Sequence, residues 1–66
     1  MNVGQIRVDC AFYNVEKNVR TEMSQVFNNE EFADKWIKHL KKEDDILWIE
    51  AYKKTSYGEE MIVCWW

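Results

Sequence analysis

The chain has no proline, two glycines, one histidine and two cysteines among its 66 residues. With so few turn-forming residues, no segment has the composition of a linker, and the length suits a single domain spanning residues 1–66. One histidine provides no pair of imidazoles for a metal site, and no glycine-rich phosphate loop is present. We therefore predict a protein that is not an enzyme, with no catalytic, cofactor-binding or metal-binding residues.

Long apolar runs and a strong excess of one charge are also missing. No uncharged apolar stretch approaches the roughly 20 residues of a membrane-spanning helix, and no signal-peptide pattern begins the chain. Nine Lys and Arg against twelve Asp and Glu give a net charge of −3, which disfavours nucleic acid as a partner because phosphate binding needs many cations. These absences predict a cytoplasmic protein without a membrane partner or a small-molecule ligand.

The cysteines and the histidine suit structural positions better than chemical ones. Cys10 and Cys64 match no zinc-ligand spacing and lie at inward positions of predicted strands, where a free thiol behaves as a small hydrophobe. We expect both to be reduced and buried, with a disulfide as the alternative if both enter one core. His39 lies at the border of a predicted helix's apolar stripe, a position typical of a surface histidine.

Aromatic residues, in contrast, are plentiful: four Trp, three Tyr and three Phe. A domain this small needs the dense core that they can provide. Strict alternation predicts a first strand over residues 6–13, with one apolar face formed by Ile6, Val8, Cys10 and Phe12. A second alternation, over residues 19–24, predicts another strand. This strand would place the polar Thr21 on its inward face, so a turn of helix is the alternative.

The clearest predicted element is a helix that starts at Asn28 and ends before Asp44 and Asp45. Asn28 as N-cap and Glu31 at N3 form a capping box, and Phe27 has the spacing of a hydrophobic staple with Phe32. The apolar stripe that we expect to pack on a sheet consists of Phe32, Ala33, Trp36, Ile37 and Leu40.

Two further strands are predicted over residues 46–53 and 61–66, joined by a hairpin loop at 55–58. The order β-β-α-β-β predicts an α+β domain of two layers, with one helix on one face of a four-stranded antiparallel sheet. A regular hairpin register puts Leu47, Ile49 and Ala51 under the helix. It also pairs Tyr52 with Met61, Glu50 with Val63 and Trp48 with Trp65.

The face of the sheet away from the helix is then predicted to be rich in large apolar side chains. Contiguous apolar patches mark interaction sites, and Trp and Tyr are enriched at binding hot spots. The predicted partner-binding residues are Trp48, Tyr52, Met61, Val63 and Trp65. A slip of one residue would exchange the faces of the last strand. The alternative is that Trp48 and Trp65 form a cross-strand pair that only stabilises the hairpin.

These observations favour a small protein-interaction module that binds another protein, or itself as a homodimer. If the second or fourth strand lies at a sheet edge, its free backbone groups offer strand pairing as a further route. In size and composition the chain is similar to small cytoplasmic proteins of bacteria and bacteriophages, many of which act by occluding a host protein, so an inhibitor or modulator is one form that this function could take. A structural domain with no separate activity is the alternative.

Binding of single-stranded nucleic acid is the other hypothesis that the residues permit. Lys38, Lys42 and Lys53 would contact phosphates while the sheet aromatics stack on bases. Acidic residues such as Glu30 and Glu31 are interleaved with the lysines, however, which is typical of a solvated amphipathic helix.

Overall fold

A computed structural model describes all 66 residues and contains four strands and one helix. The strands form one antiparallel sheet in the spatial order β2-β1-β3-β4, so β2 and β4 are its edges. The predicted α+β domain is confirmed, and residues 19–24 belong to a strand rather than a turn of helix. The elements are β1 (Ile6–Asn14), β2 (Val19–Phe27), α1 (Glu30–Leu40), β3 (Ile46–Thr55) and β4 (Gly58–Trp65).

The core lies between α1 and the two central strands. Alternate residues of β1 and β3 point toward the helix, and they meet its buried residues Ala33, Ile37 and Leu40. The sheet contributes Ile6, Val8, Cys10, Ile49 and Ala51. The helix packs over β1, β2 and β3 but does not approach β4. The last strand therefore extends beyond the cover of the helix.

The helix begins one residue later than predicted, because Asn29 and not Asn28 is its N-cap. The backbone of Asn29 is extended, and its side chain accepts a hydrogen bond from the N–H of Phe32 at 3.0 Å. Asn28 instead accepts a hydrogen bond from the side-chain amide of Gln5 at 2.7 Å. The predicted capping box and staple are therefore wrong, and Phe32 is 56% exposed instead of packing in the core.

The helix also ends earlier than the two aspartates suggested. Its last residue is Leu40 and Lys41 is the C-cap, with the N–H of Lys41 donating to the carbonyl oxygen of Ile37 at 3.0 Å. A short turn then leads into β3, where Leu47 is the extra residue of a β-bulge against β1. Leu47 is 40% exposed for this reason, and its predicted position under the helix is wrong.

The hairpin between β3 and β4 has a two-residue loop, with Thr55 paired to Gly58, rather than the predicted loop over 55–58. Gly58 has φ of 140°, a conformation that favours glycine. The predicted pair Tyr52–Met61 is confirmed.

Beyond that pair, Ile62 is the extra residue of a second β-bulge and shifts the register by one. The predicted pairs Glu50–Val63 and Trp48–Trp65 are therefore wrong. The observed pairs are Ala51–Val63, Glu50–Cys64 and Ile49–Trp65.

The bulge at Ile62 decides which way the end of β4 faces. Val63 and Trp65 turn to the helix side, where they pack against the edge of the core. Cys64 turns to the opposite side and is exposed, so its predicted burial is wrong, whereas Cys10 is buried as predicted. The two thiols are free and face opposite sides of the sheet.

Candidate interaction surface

The face of the sheet opposite α1, here termed the open face, has a polar centre. Nε of Arg7 lies 3.1 Å from Oδ2 of Asp9, and Nη1 of Arg7 lies 2.8 Å from Oε1 of Glu59. The guanidinium carbon of Arg7 also lies 4.9 Å from the ring centroid of Tyr52. Oγ of Ser24 donates a hydrogen bond to Oδ1 of Asp9 at 2.6 Å. This polar network links residues of all four strands.

The surroundings of Arg7 and Tyr52 keep both groups protonated. Partial burial acts to lower the pKa of the Arg7 guanidinium, but the charges and hydrogen bonds of Asp9 and Glu59 outweigh it, and the pKa is raised. The Tyr52 hydroxyl donates to Oε2 of Glu50 at 2.7 Å, and this hydrogen bond is the main reason that the pKa of Tyr52 is raised. The network therefore retains its donors well above neutral pH.

Beyond the polar network, one end of the open face is aromatic. The rings of Trp48 and Trp66 lie 6.1 Å apart between centroids, at an interplanar angle of 32°. The indole N–H of Trp66 donates to Sγ of Cys64 at 2.9 Å. Trp48 thus pairs with Trp66, and not with Trp65 as the regular register predicted. Trp66 nevertheless remains 76% exposed.

The structure separates the five residues predicted to bind a partner. Trp48, Tyr52 and Met61 lie on the open face, while Val63 and Trp65 lie on the helix side. Tyr52 is engaged by Arg7 and Glu50 and belongs to the polar network. The single aromatic face that the regular register predicted is therefore divided between the two sides of the sheet.

What the structure brings together instead is apolar surface around one strand. Residues Met61–Trp66, here termed the β4 edge, form the longest hydrophobic run in the chain and lie in and just after the last strand of the sheet. Met61 is 46% exposed and Ile62 is 37% exposed. On the helix side, Val63 and Trp65 are only partly buried because α1 does not reach them. The apolar surface thus continues from one side of β4 to the other.

Sequence reasoning missed Ile62 and Trp66 as parts of this surface. It assigned each residue of the last strand to one face by a regular alternation that the bulge interrupts. The available signal was the hydrophobic run itself, because a strand that is apolar at every position has no polar face to turn to solvent.

The other edge of the sheet, β2, carries charged residues among its apolar ones. β2 is exposed along almost its whole length and carries Arg20 and Glu22, which form an ion pair at 3.3 Å. Charged side chains on an edge strand oppose pairing with another strand. Val19, Met23 and Val26 are also exposed on β2, so the two edges differ because β2 intersperses charged and polar residues among its apolar ones and Met61–Trp66 has none.

The three lysines predicted to contact phosphates and the histidine lie on the helix side of the sheet. Lys38 and Lys42 are exposed on the helix side. Lys53 points to the same side of the sheet, and its Nζ lies 3.6 Å from Oε1 of Glu30 in the helix. His39 is at the surface as predicted. The His39 ring stacks on Trp36 with ring centroids 5.5 Å apart. Nε2 of His39 lies 3.5 Å from Oε1 of Glu43. These lysines and the open-face aromatics thus lie on opposite sides of the molecule.

No helix combines the length and the hydrophobicity that crossing a bilayer requires. The chain matches no protein-family model, no curated protein and no solved structure. Its function is therefore inferred from the chemistry of its own surfaces.

Proposed function

We propose that this protein is a cytoplasmic protein-interaction module that binds its partner through the β4 edge. The observation that supports this proposal is that a sheet edge, apolar on both sides, lies outside the cover of the only helix. Trp48 and Met61 extend the same surface onto the open face. By covering part of a larger protein, such a module acts as an inhibitor or modulator.

The backbone of an edge strand explains why the β4 edge would bind a partner. One side of β4 carries N–H and C=O groups without a strand partner, and such a row pairs readily with another extended chain. Natural edges are usually protected by lysine, proline, inward-pointing charges or a covering element, and Met61–Trp66 has none of these. The bulge at Ile62 is its only protective irregularity.

Strand pairing would also use the side chains on both sides of β4. Backbone hydrogen bonds supply affinity in such complexes, and side chains that alternate between the two faces supply specificity. Here Val63 and Trp65 would contact the partner on the helix side, and Cys64 and Trp66 on the open face. The exposed indole of Trp66 is the residue we expect to contribute most to binding.

Nucleic-acid binding has less support from the same surfaces. The aromatic residues of the open face adjoin the carboxylates of Asp9, Glu50 and Glu59. A phosphate backbone tracking past them would meet these carboxylates instead of Lys38, Lys42 and Lys53, which lie on the helix side.

A pair of matched substitutions tests the protein-interaction proposal. Ile62 on β4 and Val19 on β2 are both apolar and exposed, at 37% and 48%, on opposite edges of one sheet. We expect Ile62→Lys to place a protective charge on the β4 edge and to weaken partner binding by about tenfold or more, whereas Val19→Lys leaves it unchanged. The partner is first isolated from the source cells on immobilised wild-type protein. Its affinity for each variant is then measured by calorimetry with purified components.

Circular dichroism should show both variants folded. A partner that binds Ile62→Lys as tightly as wild type would contradict a role for the β4 edge. If binding is lost only in the edge variant, the activity of the partner with and without this protein then decides whether the module inhibits it.

A further inference from the structure

The two sheet edges are unequal, and this inequality favours one particular occupant of the β4 edge. We propose that, given the interaction function inferred above, a second copy of this chain pairs its β4 antiparallel with the first, centred on Cys64. The product is a continuous sheet of eight strands in the order β2-β1-β3-β4-β4-β3-β1-β2, built from the observed order of each copy.

Symmetry and edge chemistry explain why such an assembly would stop at two copies. Antiparallel pairing of identical strands about a two-fold axis uses the same surface on both copies, so it consumes both β4 edges. The outer edges of the new sheet are then two copies of β2, with the Arg20–Glu22 ion pair on each. Charged outer edges oppose further addition of strands. The expected species is a closed dimer and not a filament.

The bulge at Ile62 limits the registers that this pairing can adopt. From Val63 onward the side chains alternate regularly, with Val63 and Trp65 on the helix side and Cys64 on the open face. Paired strands must present the same face at each opposed position. A two-fold axis at Cys64 meets this requirement, because it sets Val63 opposite Trp65 of the second copy and Cys64 opposite its own counterpart.

Charge favours the same register. Met61–Trp66 contains no charged side chain, so two copies can approach along it without opposing like charges. A two-fold axis closer to the hairpin loop would instead bring Glu59 and Glu60 of both copies together, which is destabilising. Each copy carries a net charge of −3, so added salt should strengthen the association by screening the repulsion.

The available area sets the expected strength. Trp66 is 76% exposed, which leaves roughly 150–200 Å² of indole surface bare. Together with the exposed parts of Met61, Ile62 and Trp65, two edges would bury on the order of 1,000 Å² in total, near the lower limit for specific interfaces. We therefore expect a reversible dimer with a Kd on the order of micromolar.

Sedimentation velocity over a concentration series tests the association. Wild type and Val19→Lys should pass from monomer to dimer with similar Kd, and Ile62→Lys should raise Kd by about tenfold or more. A wild type that stays monomeric at every concentration, or an Ile62→Lys variant that dimerises like wild type, overturns the proposal. Binding of a different protein is measured separately, so failure of the self-pairing proposal does not decide the interaction function.

The thiol of Cys64 tests the register. Opposed residues of antiparallel strands have Cα atoms about 4.5–5.5 Å apart, within the range that a disulfide spans. Diamide, which accepts two electrons and two protons from a pair of thiols, should therefore link two copies through Cys64. Cys10 should not react, since burial, together with the charge of Asp9, raises the pKa of its thiol.

Three variants complete the test, with the product read by non-reducing electrophoresis and mass spectrometry. Cys10→Ala should retain the linked dimer and Cys64→Ser should lose it. The double variant Cys64→Ser with Glu22→Cys carries an exposed thiol on the same face at the other edge, and it should remain unlinked. A non-covalent dimer whose Cys64 thiols do not link, or equal linking in the double variant, overturns the proposed pairing.

Discussion

At the scale of single residues, Arg7 connects the polar network of the open face, since it contacts Asp9, Glu59 and Tyr52. Asp9 of β1 pairs directly with Glu50 of β3, and like charges at opposed positions destabilise a sheet. Arg7 contacts Asp9 directly, while Ser24 and Tyr52 each donate a hydrogen bond to one of the two carboxylates. The polar network thus offsets a repulsion that strand pairing creates.

We expect Arg7→Met, which retains an apolar stem and removes the charge, to lower the free energy of unfolding by about 1–2 kcal/mol at pH 7. Adding Asp9→Asn should recover part of that loss, because it removes one of the opposed carboxylates. Arg20→Met removes an exposed ion pair and should change stability by less than about 0.5 kcal/mol. Urea denaturation measures all three. Equal effects of Arg7→Met and Arg20→Met would contradict this role for Arg7.

For whole elements, the sequence predicts faces well where polar and apolar residues alternate. β1 alternates from Ile6 to Phe12, and Ile6, Val8 and Cys10 are buried as predicted. In α1, Ala33, Ile37 and Leu40 repeat at helical spacing, and all three are buried. In each case the pattern has only one arrangement that buries the apolar side, so local spacing is sufficient.

The faces of the candidate site were harder to predict, because its strand lacks this alternation of polar and apolar residues. Met61–Trp66 is apolar at every position, so no alternation specifies a face or reveals a bulge. Its register depends on contacts with β3 and with the core beside Ile49, which are distant in sequence. The start of α1 was ambiguous because Asn28 and Asn29 are equally good caps, and the contact of Asn28 with Gln5 is also remote.

The two asparagines provide a direct test of the helix start. We expect Asn29→Ala to lower the free energy of unfolding by about 1 kcal/mol, because it removes the acceptor for the N–H of Phe32. Asn28→Ala removes only an exposed hydrogen bond to Gln5, so its effect should be smaller, below about 0.5 kcal/mol. Thermal denaturation followed by circular dichroism compares the two. The reverse order of effects would place the N-cap at Asn28.

The last two tryptophans test the bulge in the same way. Trp65 packs against the core and Trp66 is 76% exposed, whereas a regular register would have put Trp66 under the helix. We expect Trp65→Ala to cost about 2–3 kcal/mol of stability and Trp66→Ala less than about 1 kcal/mol, measured in dilute solution by urea denaturation. If Trp66→Ala were the more damaging change, the register without a bulge would be correct.

For the molecule as a whole, the limiting feature is the small core. Only 9 of 66 residues are buried, because one short helix covers three strands of a sheet that has four. The chain extends over 42 × 19 × 17 Å, so much of its apolar surface remains within reach of solvent. A domain of this length buries too little surface to be more than marginally stable alone. Covering the β4 edge adds burial where the helix provides none.

Stability should therefore depend on protein concentration. A species that associates only when folded is stabilised by mass action, so a tenfold increase in wild-type concentration around Kd should raise Tm by a few degrees. Ile62→Lys should lose that dependence because the charge blocks the edge, and Val19→Lys should keep it because β2 stays outside the interface. Scanning calorimetry at several concentrations measures the shift. A wild-type Tm that is independent of concentration, in samples that sedimentation shows to be dimeric, would contradict an association that requires the folded chain.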